Sequence, residues 1–151
     1  MGKTINEVNK EHEIDMYFLK YNNLCRKIHV KEIELENAKA TKETLSSPNM
    51  SEKVSSSSNT KGLDYIIVQI ENIELLINKL YDRKQKLRKK YISDFKKLTN
   101  DNYEIILTSY YLDKLSIKNM AINMKKSISH VKKLKRDALD ELIENIKKIH
   151  S

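Results

Sequence analysis

The stretch Leu63–Leu98, LDYIIVQIENIELLINKLYDRKQKLRKKYISDFKKL, contains an apolar pattern typical of one long helix. Positions 66, 70, 73, 77, 80, 84, 87, 91, 94 and 98 alternate steps of four and three residues, and eight of the ten are apolar. The β-branched run at its start could form a strand in isolation, but its place within the longer pattern favours a helix. At a rise of about 1.5 Å per residue, this second long helix would span roughly 50 Å.

The N-terminal part of the chain repeats the same pattern. Positions 14, 17, 21, 24, 28, 31, 35 and 38 follow the three–four spacing, and seven of the eight are apolar. No Pro or Gly interrupts the chain between Ile5 and Ala40. Residues 1–40 are therefore predicted to form a first coiled-coil helix, since such a spacing places the apolar residues along one seam.

Between the two predicted helices, residues 41–62 differ in composition. Pro48, the sole proline, lies here with Gly62 and the tract SSSSN. Such a segment buries too little apolar area to offset its ordering entropy, so a flexible Ser/Pro loop is predicted. Each long helix has an apolar stripe that must be covered, which predicts an antiparallel helical hairpin. A homodimer through the long helices would cover the same stripes and stays an open alternative.

The composition restricts the class of protein. Only two Gly and one Pro occur in 151 residues, which favours long helices and an all-α fold. The single Cys25 cannot form an internal disulfide, so a reduced, cytoplasmic location is expected. No run approaches the roughly 20 apolar residues of a membrane span, and no membrane partner is expected.

Positive charge is concentrated in the second half of the chain. Residues 61–136 carry 18 Lys and Arg against 8 Asp and Glu, whereas the residues before them are balanced. A localised excess of this kind is typical of a polyanion-binding protein. A lysine-rich surface that serves only solubility is the alternative. For the second long helix, whose basic residues lie between Arg83 and Lys97, a solvated face is slightly favoured over an auxiliary phosphate contact.

The C-terminal residues 99–151 are predicted to form three shorter helices. Thr99 is a candidate N-cap for a helix over Tyr103–Leu112, and a turn follows at residues 113–115. Ser116 is predicted to cap a helix over Ile117–Met124. After a turn at residues 125–126, Ser127 caps a last helix that reaches about Ile149. The last two helices have the lengths of a helix-turn-helix DNA-binding domain.

A helix-turn-helix needs a small residue where its two helices cross, and Ala121 occupies that position. Val131, ten residues later, is predicted to face it. The remaining apolar contacts are assigned to Met120, Met124, Ile128 and Leu134. Glycine is usual four residues after the alanine, because φ is often positive there; this chain has Lys125.

The segment Leu98–Leu142 resembles region four of primary-type bacterial sigma factors. The similarity rests on Leu98, Ile106 to Tyr111, Leu115-Ser116, Met120-Ala121, Ser127, Val131-Lys132 and Arg136-Asp137-Ala138-Leu139. No segment resembles the promoter-melting region two. The whole plan of two helices, a Ser/Pro loop and a region-four-like end is similar to small phage-encoded transcriptional regulators of Gram-positive bacteria, of the ArpU and RinA type. The resemblance implies sequence-specific binding of double-stranded DNA and regulation of late or packaging genes.

The first turns of the last helix are predicted to enter the major groove of DNA. The residues assigned to base edges there are His130, Lys132 and Lys133, and Ser129 is assigned to either a base or a phosphate. The residues assigned to phosphates are Lys126, Ser127, Lys135 and Arg136, together with Lys118 on the preceding helix. Ordinary surface lysines on an amphipathic helix are the alternative interpretation.

No enzyme, metal or cofactor site is predicted. The four His are scattered, the lone Cys has no partner, and two Gly cannot form a phosphate loop. The second functional hypothesis is a coiled-coil interaction protein or adaptor, whose region-four-like end binds RNA polymerase rather than DNA. Because region four itself contacts polymerase, both partners are compatible with one protein.

Overall fold

The computed structural model describes the backbone of residues 2–47 and 56–150, and the side chains of residues 2–47 and 62–149. All regular secondary structure within these residues is helical, so the all-α prediction is confirmed for them. In chain order, the elements are α1 (Ile5–Ser46), α2 (Ser56–Lys96), α3 (Asp101–Leu107), a π-helical segment (Thr108–Leu112), α4 (Ile117–Met124) and α5 (Ile128–His150).

The apolar seams of the two long helices are the positions that the fold covers. All eight seam positions of α1 and all ten of α2 are buried or half-buried. The polar members, Lys31, Lys84 and Asp94, are half-buried rather than fully enclosed. The three–four spacing therefore identified the inward faces of both helices, because it follows the helical repeat of about 3.6 residues.

The predicted loop over residues 41–62 is too long at both ends. Residues 41–46 continue α1, and residues 56–62 belong to α2; residues 48–55 lie outside the described part of the chain. Near the end of α1, the hydroxyls of Thr41, Thr44 and Ser46 donate to the backbone carbonyls four residues earlier, at 3.0, 3.1 and 2.6 Å. Local hydroxyl–carbonyl bonds of this kind satisfy these side chains inside a helix, so composition alone misplaced the boundary.

The chain divides into two compact units, and both long helices contribute to both. The first unit contains the residues up to Asn22 and those from Lys86 onward; the second contains Asn23–Gln85. In the second unit the helices run antiparallel, as the hairpin prediction requires. The Tyr81 hydroxyl donates to Glu32 at 2.6 Å, while Leu45 lies 3.8 Å from the place a Cβ on Gly62 would take.

Aromatic side chains form the core of the first unit. Phe18 is 1% exposed, and its ring lies parallel to that of Tyr111 with centroids 4.5 Å apart. Phe18 also contacts Tyr17, Tyr91 and Phe95, with centroid separations of 4.8, 5.1 and 6.2 Å. Aromatic pairs at such distances add to the stabilisation from area burial. The cluster therefore joins α1, α2 and the π segment.

The hydroxyls of the buried tyrosines have defined partners. Tyr17 donates to Asp94 at 2.6 Å, Tyr91 donates to the Tyr17 carbonyl at 2.9 Å, and Tyr21 donates to the Leu112 carbonyl at 2.9 Å. The last bond satisfies a carbonyl at the end of the π segment, where no regular helical donor follows. Tyr21 thereby positions the exit of this segment.

The predicted cap and start of the first short helix are wrong: the helix begins at Asp101 rather than Tyr103, whereas its helical turns end at Leu112, as predicted. Asn100, not Thr99, caps α3, because its side-chain oxygen accepts from the Asn102 amide at 2.9 Å. Thr99 instead donates to Glu141 through its amide and its hydroxyl, at 2.7 and 2.9 Å. The α-helical geometry ends at Leu107, and the wider π segment continues to Leu112.

Replacing Tyr21 with Phe should destabilise the protein by about 1–3 kcal/mol, because the buried Leu112 carbonyl loses a donor. The free energy of unfolding is to be measured by urea denaturation followed by circular dichroism. Tyr65→Phe is the matched control, since Tyr65 is 63% exposed and should change stability by less than about 0.5 kcal/mol. Equal effects of the two substitutions would contradict the role given to the Tyr21 hydroxyl.

Stability should fall at alkaline pH because the aromatic core holds neutral tyrosines. Burial, and for Tyr17 the bond to Asp94, raise the pKa of Tyr17 and Tyr111 well above their ordinary value, and burial raises the pKa of Tyr91 to about 12. A tyrosine whose pKa is raised by folding stabilises the fold fully at pH values below its unfolded-state pKa of 10.0. This stabilisation is lost as the pH rises through the folded-state pKa. Tyrosinate absorbance should show these groups ionising last, together with loss of helical circular dichroism. Ionisation of all eight tyrosines before any helix is lost would refute this.

Candidate nucleic-acid interface

Helices α4 and α5 each begin at a serine whose side chain caps the helix. The Ser116 hydroxyl accepts from the Asn119 amide at 3.1 Å, and the Ser127 hydroxyl accepts from the His130 amide at 3.1 Å. Both caps confirm the sequence prediction. Each bond satisfies an amide that lacks a partner in the first helical turn, which fixes where the helix starts.

The turn between α4 and α5 has the conformation expected at its first residue. Lys125 has φ 56° and ψ 45°, in the left-handed region, and its amide bonds the Ile122 carbonyl at 3.3 Å. The Lys126 amide bonds the Ala121 carbonyl at 3.0 Å. A residue other than Gly in this conformation costs about 1–2 kcal/mol, so the turn forms at a measurable cost in stability.

The crossing of α4 and α5 is built around a small residue. Ala121 is 6% exposed and belongs to one buried cluster with Val131, which is fully buried. Met120, Leu134 and Ile106 complete the buried part of the cluster, and Met124 packs at its edge. Because alanine has only a methyl group, the second helix approaches closely there.

One predicted member of this cluster lies elsewhere. Ile128 is 47% exposed and is not part of the buried cluster. It is the first residue of α5. Its apolar character led to the prediction that it is buried, but its angular position around the helix axis leaves its side chain exposed.

Most of the sequence-predicted contact residues share one exposed region at the start of α5. Ser127, Ser129, His130, Lys132, Lys133 and Arg136 are exposed, as is Lys118 on α4, while Lys126 is half-buried. The stretch from Ser116 to Arg136 contains no Asp or Glu. The structure therefore brings together several cations and hydrogen-bond donors with no acidic residue between them in sequence.

Lys135 has a different environment from its neighbours. Its ammonium lies 3.7 Å from the centroid of the Tyr110 ring and 5.7 Å from that of Tyr111. A cation over an aromatic face at this distance is attracted by the ring quadrupole. The structure thus places Lys135, assigned by sequence to a phosphate, against the π segment.

A groove of about 770 Å³ lies beside the basic residues of α5 and contains a wall that sequence reasoning missed. α5 lines this groove of mixed charge with Lys132, Lys135, Arg136 and Asp140, and the N-terminal part of the chain lines it with Glu7, Glu11, Asp15, Lys3 and Lys10. Two exposed ion pairs connect α1 with α5 here. Lys10 Nζ lies 3.0 Å from Asp140 Oδ1, and Lys147 Nζ lies 3.8 Å from Glu13 Oε1. The packing of α1 against α5 was not predicted, because no local sequence pattern specifies which helix another helix contacts.

Among the described residues, no group of three or more His, Cys, Asp or Glu side chains could hold a metal ion. None of the described helices is long and apolar enough to cross a membrane.

Comparisons with known proteins give no match: no family model fits the chain, and neither curated proteins nor solved structures show significant similarity.

Enlarging Ala121 to Leu should destabilise the protein by about 1–3 kcal/mol, because the added methyl groups cannot fit where α4 crosses α5. Thermal and urea denaturation provide the measurement. Ile122→Leu, at a position 65% exposed on the same helix, serves as control and should be nearly neutral. A stable Ala121→Leu variant would show that the crossing is looser than the buried cluster indicates.

Proposed function

We propose that this protein is a sequence-specific DNA-binding regulator of transcription, in which α4, the turn and α5 act as a helix-turn-helix similar to region four of sigma factors. The observation that carries the proposal is the combination of the Ala121–Val131 crossing with the left-handed turn at Lys125. In a helix-turn-helix, the close crossing and the left-handed turn together set the angle between the two helices. An ordinary amphipathic surface helix requires neither a close crossing nor a left-handed turn before it.

The exposed residues at the start of α5 supply the chemistry for DNA recognition. His130 and Lys133 can donate to acceptor atoms on guanine or thymine edges, and Lys132 is a third candidate. Ser129 can bond either a base or a phosphate. Lys126, Ser127, Arg136 and Lys118 are suited to phosphates, which fix the orientation of the protein without reading sequence.

The resemblance to ArpU- and RinA-type regulators extends the proposal to phage or prophage late and packaging genes. It rests on the order of elements and on the Leu98–Leu142 similarity described above. The overall surplus of positive charge, +8 at pH 7, is in keeping with a nucleic-acid partner.

A second candidate function is an adaptor that binds RNA polymerase. The observation that favours it is the outer side of α2 in the second unit, where Tyr65, Val68 and Leu75 are 63%, 52% and 58% exposed. Exposed apolar residues repeated along a helix are typical of a protein contact. A homodimer through the long helices would instead cover their seams, whose positions are already buried or half-buried in the single chain.

Neutralising three basic residues of α5 should weaken DNA binding. The experiment selects tight-binding duplexes from a random-sequence pool and measures affinity by fluorescence anisotropy over a range of salt. We expect a smaller salt dependence for the triple variant Lys132→Gln, Lys133→Gln, Arg136→Gln. The magnitude of the slope of log K against log salt should fall by about two to three, since each lost phosphate contact contributes about 0.9. Helical circular dichroism should be unchanged, because all three side chains are exposed.

The matched control is Lys27→Gln, Lys39→Gln, Lys42→Gln, which removes the same charge from exposed positions in the second unit. It should bind DNA nearly as the unaltered protein does. If the unaltered protein binds no duplex at low salt, the DNA hypothesis fails. Pull-down of RNA polymerase by both triple variants would then support the adaptor function.

A further inference from the structure

We infer that Lys125, in the turn itself, is a further phosphate contact of this protein; the inference rests on the proposed DNA-binding function. Sequence reasoning did not place Lys125 among the contact residues. Among the described residues, Lys114 and Lys125 are the two lysines with positive φ, and only Lys125 of this pair lacks a partner for its ammonium.

Two lysines with positive φ flank α4, and they provide an internal comparison. Lys114 has φ 59° and precedes the helix; Lys125 has φ 56° and follows it. Both occupy the left-handed region, which favours glycine over any residue with a Cβ. The same backbone strain therefore occurs at both ends of α4, and the strained residue is a lysine in both places.

The side chain of Lys114 has partners inside the protein. Its ammonium donates to the Asn22 side-chain oxygen at 2.6 Å and lies 5.9 Å from the centroid of the Tyr21 ring. These contacts join the turn before α4 to α1 within the first unit. They give a structural reason for a lysine where glycine would be less strained.

No comparable contact exists at Lys125. The residue is exposed, and its ammonium makes no hydrogen bond, ion pair or ring contact with any described side chain. A glycine would adopt the same φ and ψ with less strain and would form the same backbone bonds. The lysine side chain thus has no contact within the described fold that would compensate for the strain.

The surroundings of Lys125 fit a phosphate group. Lys126 follows directly, and Ser127 begins α5, where amides of the first turn point outward. Neither α4 nor the first turns of α5 carry an acidic residue that could compete for the ammonium. A DNA backbone that approaches the start of α5 would meet Lys125 and Lys126 before any base.

The test uses substitutions that separate stability from DNA binding. Lys125→Gly should raise the melting temperature by about 2–4 °C, since it relieves strain in a chain of this size. The same substitution should weaken binding to the selected duplex several-fold and lower the salt slope by about 0.9, the contribution of one phosphate. A residue with only a structural role would not move these two readouts in opposite directions.

Two further variants keep the test decisive. Lys125→Asn tolerates the left-handed conformation without charge and should show the same loss of affinity and slope, whereas Lys125→Arg should retain both. Lys114→Gly is the control: it loses the bond to Asn22 and should leave DNA affinity unchanged. If the unaltered protein binds DNA and Lys125→Gly and Lys125→Asn bind with the same affinity and slope, the contact is refuted while the proposed function stands. If the unaltered protein binds no DNA, both fail.

Discussion

The parallel contact between the Phe18 and Tyr111 rings is the interaction on which the first unit depends. Their centroids are 4.5 Å apart, and Phe18 is almost completely enclosed. Three residues later on α1, Tyr21 donates to the Leu112 carbonyl. One turn of α1 therefore contacts the last two residues of the π segment, Tyr111 and Leu112. The Ser116 cap, which begins α4, follows Leu112 by four residues.

The π segment also contacts both α1 and α5. Adjacent tyrosines in it contact different helices: Tyr111 stacks on α1, while Tyr110 receives the Lys135 ammonium from α5 at 3.7 Å. Cation–π contacts stabilise by about 0.5–2 kcal/mol, depending on solvent exposure. The wider turn places both rings in contact distance of their partners, and π turns of this kind occur often at functional sites. The segment thus links the aromatic core to the helix proposed to read DNA.

Local rules predicted those features that depend on neighbours in sequence. The seams of α1 and α2 follow from spacing, and the Ser116 and Ser127 caps follow from the preference of serine for that position. Positive φ at Lys125 follows from its place four residues after Ala121 in the helix-turn-helix pattern. The failures concern features that involve residues distant in sequence. Thr99 donates to Glu141, while Asn100 caps α3. In the π segment, Tyr111 stacks on Phe18 and Tyr110 contacts Lys135, and the sequence around the two tyrosines indicates neither partner.

The same distinction applies to the candidate interface. The sequence divided the basic residues of α5 between base edges and phosphates, and the fold adds a different distinction. Lys135 contacts the Tyr110 ring, whereas Lys132 and Arg136 line a groove that also contains four carboxylates and the ammonium groups of Lys3 and Lys10. Carboxylates near Lys132 and Arg136 lower the positive potential on that side of α5, and salt screens part of this effect.

Ser129, His130 and Lys133 are exposed and do not line this groove. On the proposed function, the groove side of α5 presents carboxylates among its cations, so a duplex is attracted more strongly to the side of α5 away from the groove. His130 and Lys133 are then better placed than Lys132 to reach base edges. Lys132 and Arg136, which line the groove, are better suited to phosphates at the margin of the contact. On this proposal, the packing of α1 confines base readout to the side of α5 that carries His130 and Lys133.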